Sequence, residues 1–160
     1  MVEKSEYAAG LKACELFAVL SDGELDDLLT TMGTCCRMEE YEAGDTVFNQ
    51  GELATRAYVV VDGQILISRS FSLGDRMATK TIALLGKGRA MGWSALVYED
   101  HYASASALCQ KPTRLVALEG HALRQALEQD HSVGFRVMRR LATMLGDRLQ
   151  SAYSAIETHL

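Results

Sequence analysis

Three regimes of hydrophobic patterning divide the chain. Over residues 11–33, LKACELFAVLSDGELDDLLTTMG, the apolar positions Leu16, Phe17, Leu20, Leu25, Leu28 and Leu29 recur at intervals of three and four, the period of an amphipathic helix. Ser21 followed by Glu24 has the form of a capping box opening the second apolar cluster, and Gly33 is a plausible stop. The pattern predicts two short helices ahead of the main body. From residue 35 to 118 the period falls to two and glycine becomes the punctuation. YEAGDTVFNQGE places one turn at Ala43-Gly44-Asp45 and another at Gln50-Gly51-Glu52. AYVVVDGQILISRS reads as two β runs joined by Asp62-Gly63, a strong hairpin signal. MATKTIALLGKGRAMGW adds a strand, a turn at Gly86-Lys87-Gly88 and a brief run into Gly92. YASASALCQKPTRLVALE supplies two more strands, with the only proline, Pro112, between them.

Seven or eight short strands with closely spaced turns predict an antiparallel sandwich or jelly roll over residues 34–118. From Glu119 the helical period returns. GHALRQALEQD predicts a short helix, and HSVGFRVMRRLATMLGDRLQSAYSAIETHL a long one. In the long helix Met138, Leu141, Leu145, Arg148, Ala152 and Ala155 or Ile156 fall near a three-four spacing. A helix of that length outruns a small β body, so the stripe predicts a homodimer seam through Met138, Leu141, Leu145 and Ala152. The alternative is that the helix folds back over its own β body. The whole, residues 1–160, reads as one mainly β domain with flanking helices: N-terminal helices over 1–33, a β roll over 34–118 and C-terminal helices over 119–160.

Composition narrows the function. With 48% hydrophobic and 23% charged residues, and no long apolar run, the chain reads as an ordinary soluble domain without a membrane partner. Its first twenty residues are acidic where a signal peptide would be basic, which predicts a cytoplasmic protein. Residues 1–45 hold eleven acidic and three basic side chains, and the whole carries −5. That balance argues against nucleic-acid binding by this chain alone. Cys14, Cys35, Cys36 and Cys109 form no Cys-X-X-Cys pair, as expected of reduced thiols in a cytosol. No nucleophile elbow, paired carboxylates or metal-ligand spacing is present, and Gly86-Lys87-Gly88 lacks the form of a P-loop. The chain reads as non-enzymatic.

The order of elements, with the segments AGDTVFNQGE (Gly44, Asp45, Val47, Phe48, Gly51, Glu52), AYVVVDGQILI (Tyr58, Val60, Gly63, Ile65) and AMGWSALV (Gly92, Ala95, Leu96), resembles the cyclic nucleotide-binding domain of the catabolite-activator and Fnr class of regulators. The resemblance spans about residues 13–157 and implies a double-stranded β-helix with a long C-terminal dimerisation helix. It also implies a phosphate-binding cassette over GRAMGWSALVYEDHYASASA, residues 88–107. In the family that cassette carries a Glu for the ribose hydroxyl and an Arg for the cyclic phosphate. Here Trp93 stands at the Glu position, and either His101 or Tyr102 at the Arg position, with Ala103 and Ser104 following. Losing a bidentate arginine from such a site costs about 2–4 kcal/mol, or about 30- to 1000-fold in affinity.

What remains is still suited to an anion. The backbone N–H groups of Ser94, Ala95 and Leu96 start a helix, the Ser94 hydroxyl is near, and His101 carries charge when protonated. Trp93 offers a flat surface for a ring. The expectation is a regulatory module that binds a cyclic nucleotide (cyclic AMP or cyclic GMP) or another anionic ring-bearing metabolite through Gly92–Leu96 and His101–Ser104. It would signal through the C-terminal helix to a dimer mate. Two alternatives stand beside it: a haem or redox sensor on the same fold using Cys35, Cys36, Cys109 or the histidines, and a silent interaction module whose pocket Trp93 fills. The family's DNA-binding regulators continue into a helix-turn-helix after this helix, so no operator binding is expected of residues 1–160.

Overall fold

The computed structural model describes residues 2–159. Its elements run α1 (Val2–Lys12), α2 (Asp22–Met32), a 3-10 turn (Gly33–Cys35), β1 (Cys36–Tyr41), β2 (Thr46–Phe48), β3 (Arg56–Asp62), β4 (Ile65–Leu73), β5 (Arg76–Leu85), β6 (Ala90–Met91), α3 (Ser94–Val97), β7 (Ser106–Cys109), β8 (Thr113–Glu119), α4 (Gly120–Gln129) and α5 (His131–Thr158).

The capping box holds as read. Glu24 N–H donates to Ser21 Oγ at 3.1 Å, and Ser21 N–H donates to Glu24 Oε1 at 2.9 Å. α2 then buries Leu25, Leu28, Leu29 and Met32 along one side. The first helix lies earlier than the pattern predicts. Leu16, Phe17 and Leu20 are buried, but on a chain of turns rather than a helix. Cys14 N–H donates to the Leu11 carbonyl at 3.0 Å, and Leu20 N–H to the Phe17 carbonyl at 3.1 Å. Such three-residue turns space apolar side chains nearly as a helix does, which is why periodicity did not separate the two.

The eight strands form two antiparallel four-stranded sheets, ordered β1-β8-β3-β6 and β2-β7-β4-β5. This is the expected jelly roll, but Asp62-Gly63 does not close a hairpin. β3 pairs with β8 and β6, while β4 pairs with β5 and β7 in the other sheet. The turn carries the chain between sheets, and it needs glycine for two reasons. Its φ is +111°, and a Cβ there would lie 2.3 Å from Thr113 Oγ1. The local hairpin of the roll is instead β4–β5, closed at Leu73 and Arg76 around Gly74-Asp75.

The first sheet is buried on both faces, which explains the unbroken apolar run at Tyr58–Val61. Val59, Val116 and Leu118 face α1, α2, α4 and α5 in one core. Tyr58, Val60, Leu115 and Ala117 face the second sheet in the other. Helix α5 is capped by Asp130, whose Oδ1 accepts from the N–H groups of Ser132 and Val133 at 3.1 and 3.2 Å. Its first half docks on the body through Val133, Val137, Leu141 and Met144. Leu141 therefore belongs to the chain's own core, 2% exposed, and is removed from the expected seam. The fold-back and the free stripe are both present, on different faces of one helix. Among the described residues no helix is long and apolar enough to cross a membrane.

Candidate functional site

Between the second sheet, the β6–α3 turn and α5 lies a cavity of about 260 Å³. Its entry is set by Gly92, whose φ of +74° and whose closeness to the Arg56 carbonyl (2.6 Å for a Cβ) admit no side chain. The chain then turns into α3. Trp93, Ser94, Ala103 and Ser104 of the expected set line the cavity together with Gly92. Trp93 is half-buried and stands in the wall beside open space rather than filling it.

The rest of the expected set is placed differently. Ala95 and Leu96 are buried beneath the turn, and Leu96 faces a separate groove with Leu127 and Phe135. Their amides are engaged: Ala95 N–H donates to the Gly92 carbonyl at 3.1 Å and Leu96 N–H to the Trp93 carbonyl at 3.0 Å. The Ala95 and Leu96 amides thus close the helix's own turn and offer an anion little. His101 stacks on Tyr98 at 4.3 Å between ring centroids, with Trp93 tilted against Tyr98 at 6.1 Å. Tyr102 is 65% exposed and pairs with Leu53 as an isolated bridge. Neither His101 nor Tyr102 lines the cavity. The downstream residues that do are Ala103, Ser104 and Ala105, where the loop is held to the Gly51–Ala54 segment by Ala103 N–H donating to the Glu52 carbonyl at 2.7 Å.

Sequence reasoning missed the cavity's charged side chains. Glu52, Arg56 and Arg148 all line it. Glu52 accepts from Asn49 Nδ2 at 2.8 Å, which holds its carboxyl below the usual range. Arg56 Nη1 lies 3.5 Å from Glu39 Oε2. Arg148 comes from α5, where its Nη2 donates to the Ala90 carbonyl oxygen at 3.0 Å and its Nε is buried without a partner. Burial lowers its affinity for a proton, nearby Glu15 opposes that, and Arg89 adds to it. The signal was visible in the sequence: a lone arginine interrupts an apolar stripe. The remaining wall is flat and apolar, with Phe48 stacked on Tyr58 at 5.9 Å and Ile67, Leu85 and Met91 around them.

All four cysteines are reduced thiols. Burial pushes the Cys14 thiol up to about 11, and it raises Cys35 and Cys109 as well. These are protonated, weakly reactive groups at neutral pH. Among the described residues no three His, Cys, Asp or Glu side chains gather where they could hold a metal ion.

A two-sheet jelly roll with flanking helices and a glycine-entered turn into a short helix defines the class of cyclic nucleotide-binding domains. The family model for the cyclic nucleotide-binding domain matches residues 38–130, and the chain belongs to that family. It is 25% identical over 126 residues to the cAMP-activated global transcriptional regulator CRP of Haemophilus influenzae, covering 79% of this chain and 53% of the relative. The chain thus spans about half the length of that relative. The crystal structure of Thermus thermophilus catabolite activator protein superposes with a TM-score of 0.72 at 28% identity, covering 90% of this chain and 62% of that one. A cyclic nucleotide-binding domain from Methylobacillus flagellatus superposes with a TM-score of 0.77 at 21% identity, covering 98% and 83%.

Proposed function

We propose that the chain is a non-catalytic ligand-sensing module in which a small ring-bearing anion binds inside the β roll and α5 transmits the event to a second copy of the chain. The observation that carries this reading is the shape of the cavity: the sheet, the turn at Gly92–Ser94 and α5 all contribute to one wall system. Occupancy is therefore felt directly by the helix that leaves the body. Cyclic AMP and cyclic GMP are the first candidates, supported by the family and by the Haemophilus relative's activation by cyclic AMP.

The dimer rests on the outward face of α5. Phe135, Met138, Ala142, Leu145, Leu149, Ala152 and Ile156 repeat at alternating intervals of three and four. Phe135, Leu149 and Ile156 are at least half exposed. Three heptads of that pattern suit a parallel two-helix seam. In this reading Met138 and Ala152 belong to the seam, Leu145 borders it while packing partly on the body's core, and Leu141, buried in that core, does not belong to it. The net charge of −5 supports a module that does not itself bind nucleic acid.

The test is a thermal-denaturation screen with cyclic AMP, cyclic GMP and a panel of aromatic carboxylates, read together with Trp93 emission. A ligand that raises the midpoint and changes the emission of this sole tryptophan supports the reading. No response to any anion overturns it in favour of a silent fold.

A further inference from the structure

We infer that Arg148 is the anion receptor of the roll, holding the acidic group of the ligand from α5 in place of a cassette arginine; this rests on the ligand-sensing reading above. Among the described residues Arg148 is the sole α5 side chain lining the cavity. One of its N–H groups reaches the Ala90 carbonyl, while the buried Nε–H has no acceptor. No carboxylate forms an ion pair with it among the described residues, whereas its neighbours are committed. Arg56 shares Glu39 with Arg37, at 3.5 Å against 2.8 Å, and Arg89 Nε donates to Glu15 Oε2 at 2.8 Å. A partly buried guanidinium with an open donor is unfavourable until something anionic completes it.

The alternatives within the site are weaker. The amides of Ala95 and Leu96 close their own turn, and His101 and Tyr102 lie outside the cavity. A guanidinium fork matches a carboxylate or phosphodiester in two hydrogen bonds, which an imidazole cannot do. Glu52 also lines the cavity, so a single negative charge suits the site better than a double one. Phe48, Tyr58 and Trp93 supply flat apolar wall. The ligand class is thus a compact aromatic monoanion: a cyclic phosphodiester or a ring carboxylate rather than a phosphate monoester. Its charge would land on the reporting helix itself, not on the β body.

Two matched probe pairs test this, cyclic AMP against adenosine and benzoate against benzamide, titrated into wild type and Arg148→Met. Binding is followed by Trp93 emission and calorimetry. Wild type should prefer the charged member of a pair by about tenfold or more. Arg148→Met should erase that preference while binding the neutral member as before, and Arg148→Lys should restore part of it. A preference for anions that survives Arg148→Met overturns the inference and leaves the sensing reading standing. If none of the four probes binds wild type, both fail. The ligand-free midpoint of Arg148→Met provides an independent check. A receptor left open for a ligand loses little stability on this substitution, whereas a marked fall in midpoint with unchanged probe preference identifies a structural anchor and overturns the inference.

Discussion

Arg148 of α5 donates from Nη2 to the carbonyl oxygen of Ala90 across 3.0 Å. On its other side the Ala90 amide donates to Glu15 Oε2, also at 3.0 Å, and Arg140 of α5 donates from Nε to the Glu15 carbonyl at 3.0 Å. Ala90 pairs with Val59 in the first sheet and lies two residues before Gly92. The helix that leaves the body is therefore tied to the strand that enters the ligand turn directly through Arg148 and indirectly, by way of Glu15, through Arg140. A ligand that draws on Arg148 competes with its direct bond to Ala90, which gives the proposed signal a physical route.

The outward face of α5 should hold two copies together. Wild type is expected at twice its 17.5 kDa mass by sedimentation equilibrium. Leu149→Glu with Ile156→Glu should yield folded monomers. Leu141→Ala should leave association intact but destabilise the chain by about 2–5 kcal/mol, because it opens a cavity in the intramolecular core. A monomeric wild type, or dissociation by Leu141→Ala without loss of stability, contradicts the assignment of the two faces.

Gly120, the first residue of α4, lets that helix approach the ligand turn. A Cβ there would stand 2.2 Å from the Ala95 carbonyl oxygen and 2.8 Å from its carbon. Both are backbone atoms, so relief requires moving α4 away from α3. Gly120→Ala should cost about 1–3 kcal/mol in urea denaturation. A variant as stable as wild type would show that the two helices separate freely.

The Arg136–Glu24 pair, which joins α5 to α2, should make stability depend on acid. Arg136 Nη1 lies 3.0 Å from Glu24 Oε1, Nη2 reaches Oε2, and the guanidinium pulls the Glu24 carboxyl from an ordinary 4.5 to about 2. A carboxyl lowered on folding stabilises above its unfolded value, and that contribution fades as pH falls toward its folded value. Both groups are partly solvated, so the effect is modest. The midpoint gap between wild type and Glu24→Gln should be open at neutral pH and close between 4.5 and about 2. A gap that stays constant through that window contradicts the pairing.

Much of this architecture is legible in the residues, and the failures share one cause. The capping box at Ser21 and Glu24, the glycine turns at Gly44, Gly51 and Gly63 and the two C-terminal helices are local rules, and each is present. What failed is partner choice. Asp62-Gly63 has hairpin chemistry, yet β3 finds its neighbour in β8, more than fifty residues on. α5 carries two apolar stripes, one through Val133, Val137, Leu141 and Met144 and another through Phe135, Met138, Leu145 and Leu149. Spacing alone does not say which meets the body: it puts Leu141 in the seam, where the structure buries it in the chain's own core. The site failed likewise. Gly92, Trp93, Ser94, Ala103 and Ser104 follow from the cassette's own order, but Arg56 and Arg148 reach the cavity from β3 and α5. A linear motif does not contain them.

Amide hydrogen exchange with and without saturating cyclic AMP shows whether occupancy of the roll is communicated to α5. Altered protection is expected in two places, the turn around Gly92–Leu96 and the part of α5 beyond Met144, with the α5 change absent in Arg148→Met while the turn still responds. Binding that alters exchange in the roll alone, with α5 unchanged, would contradict this communication.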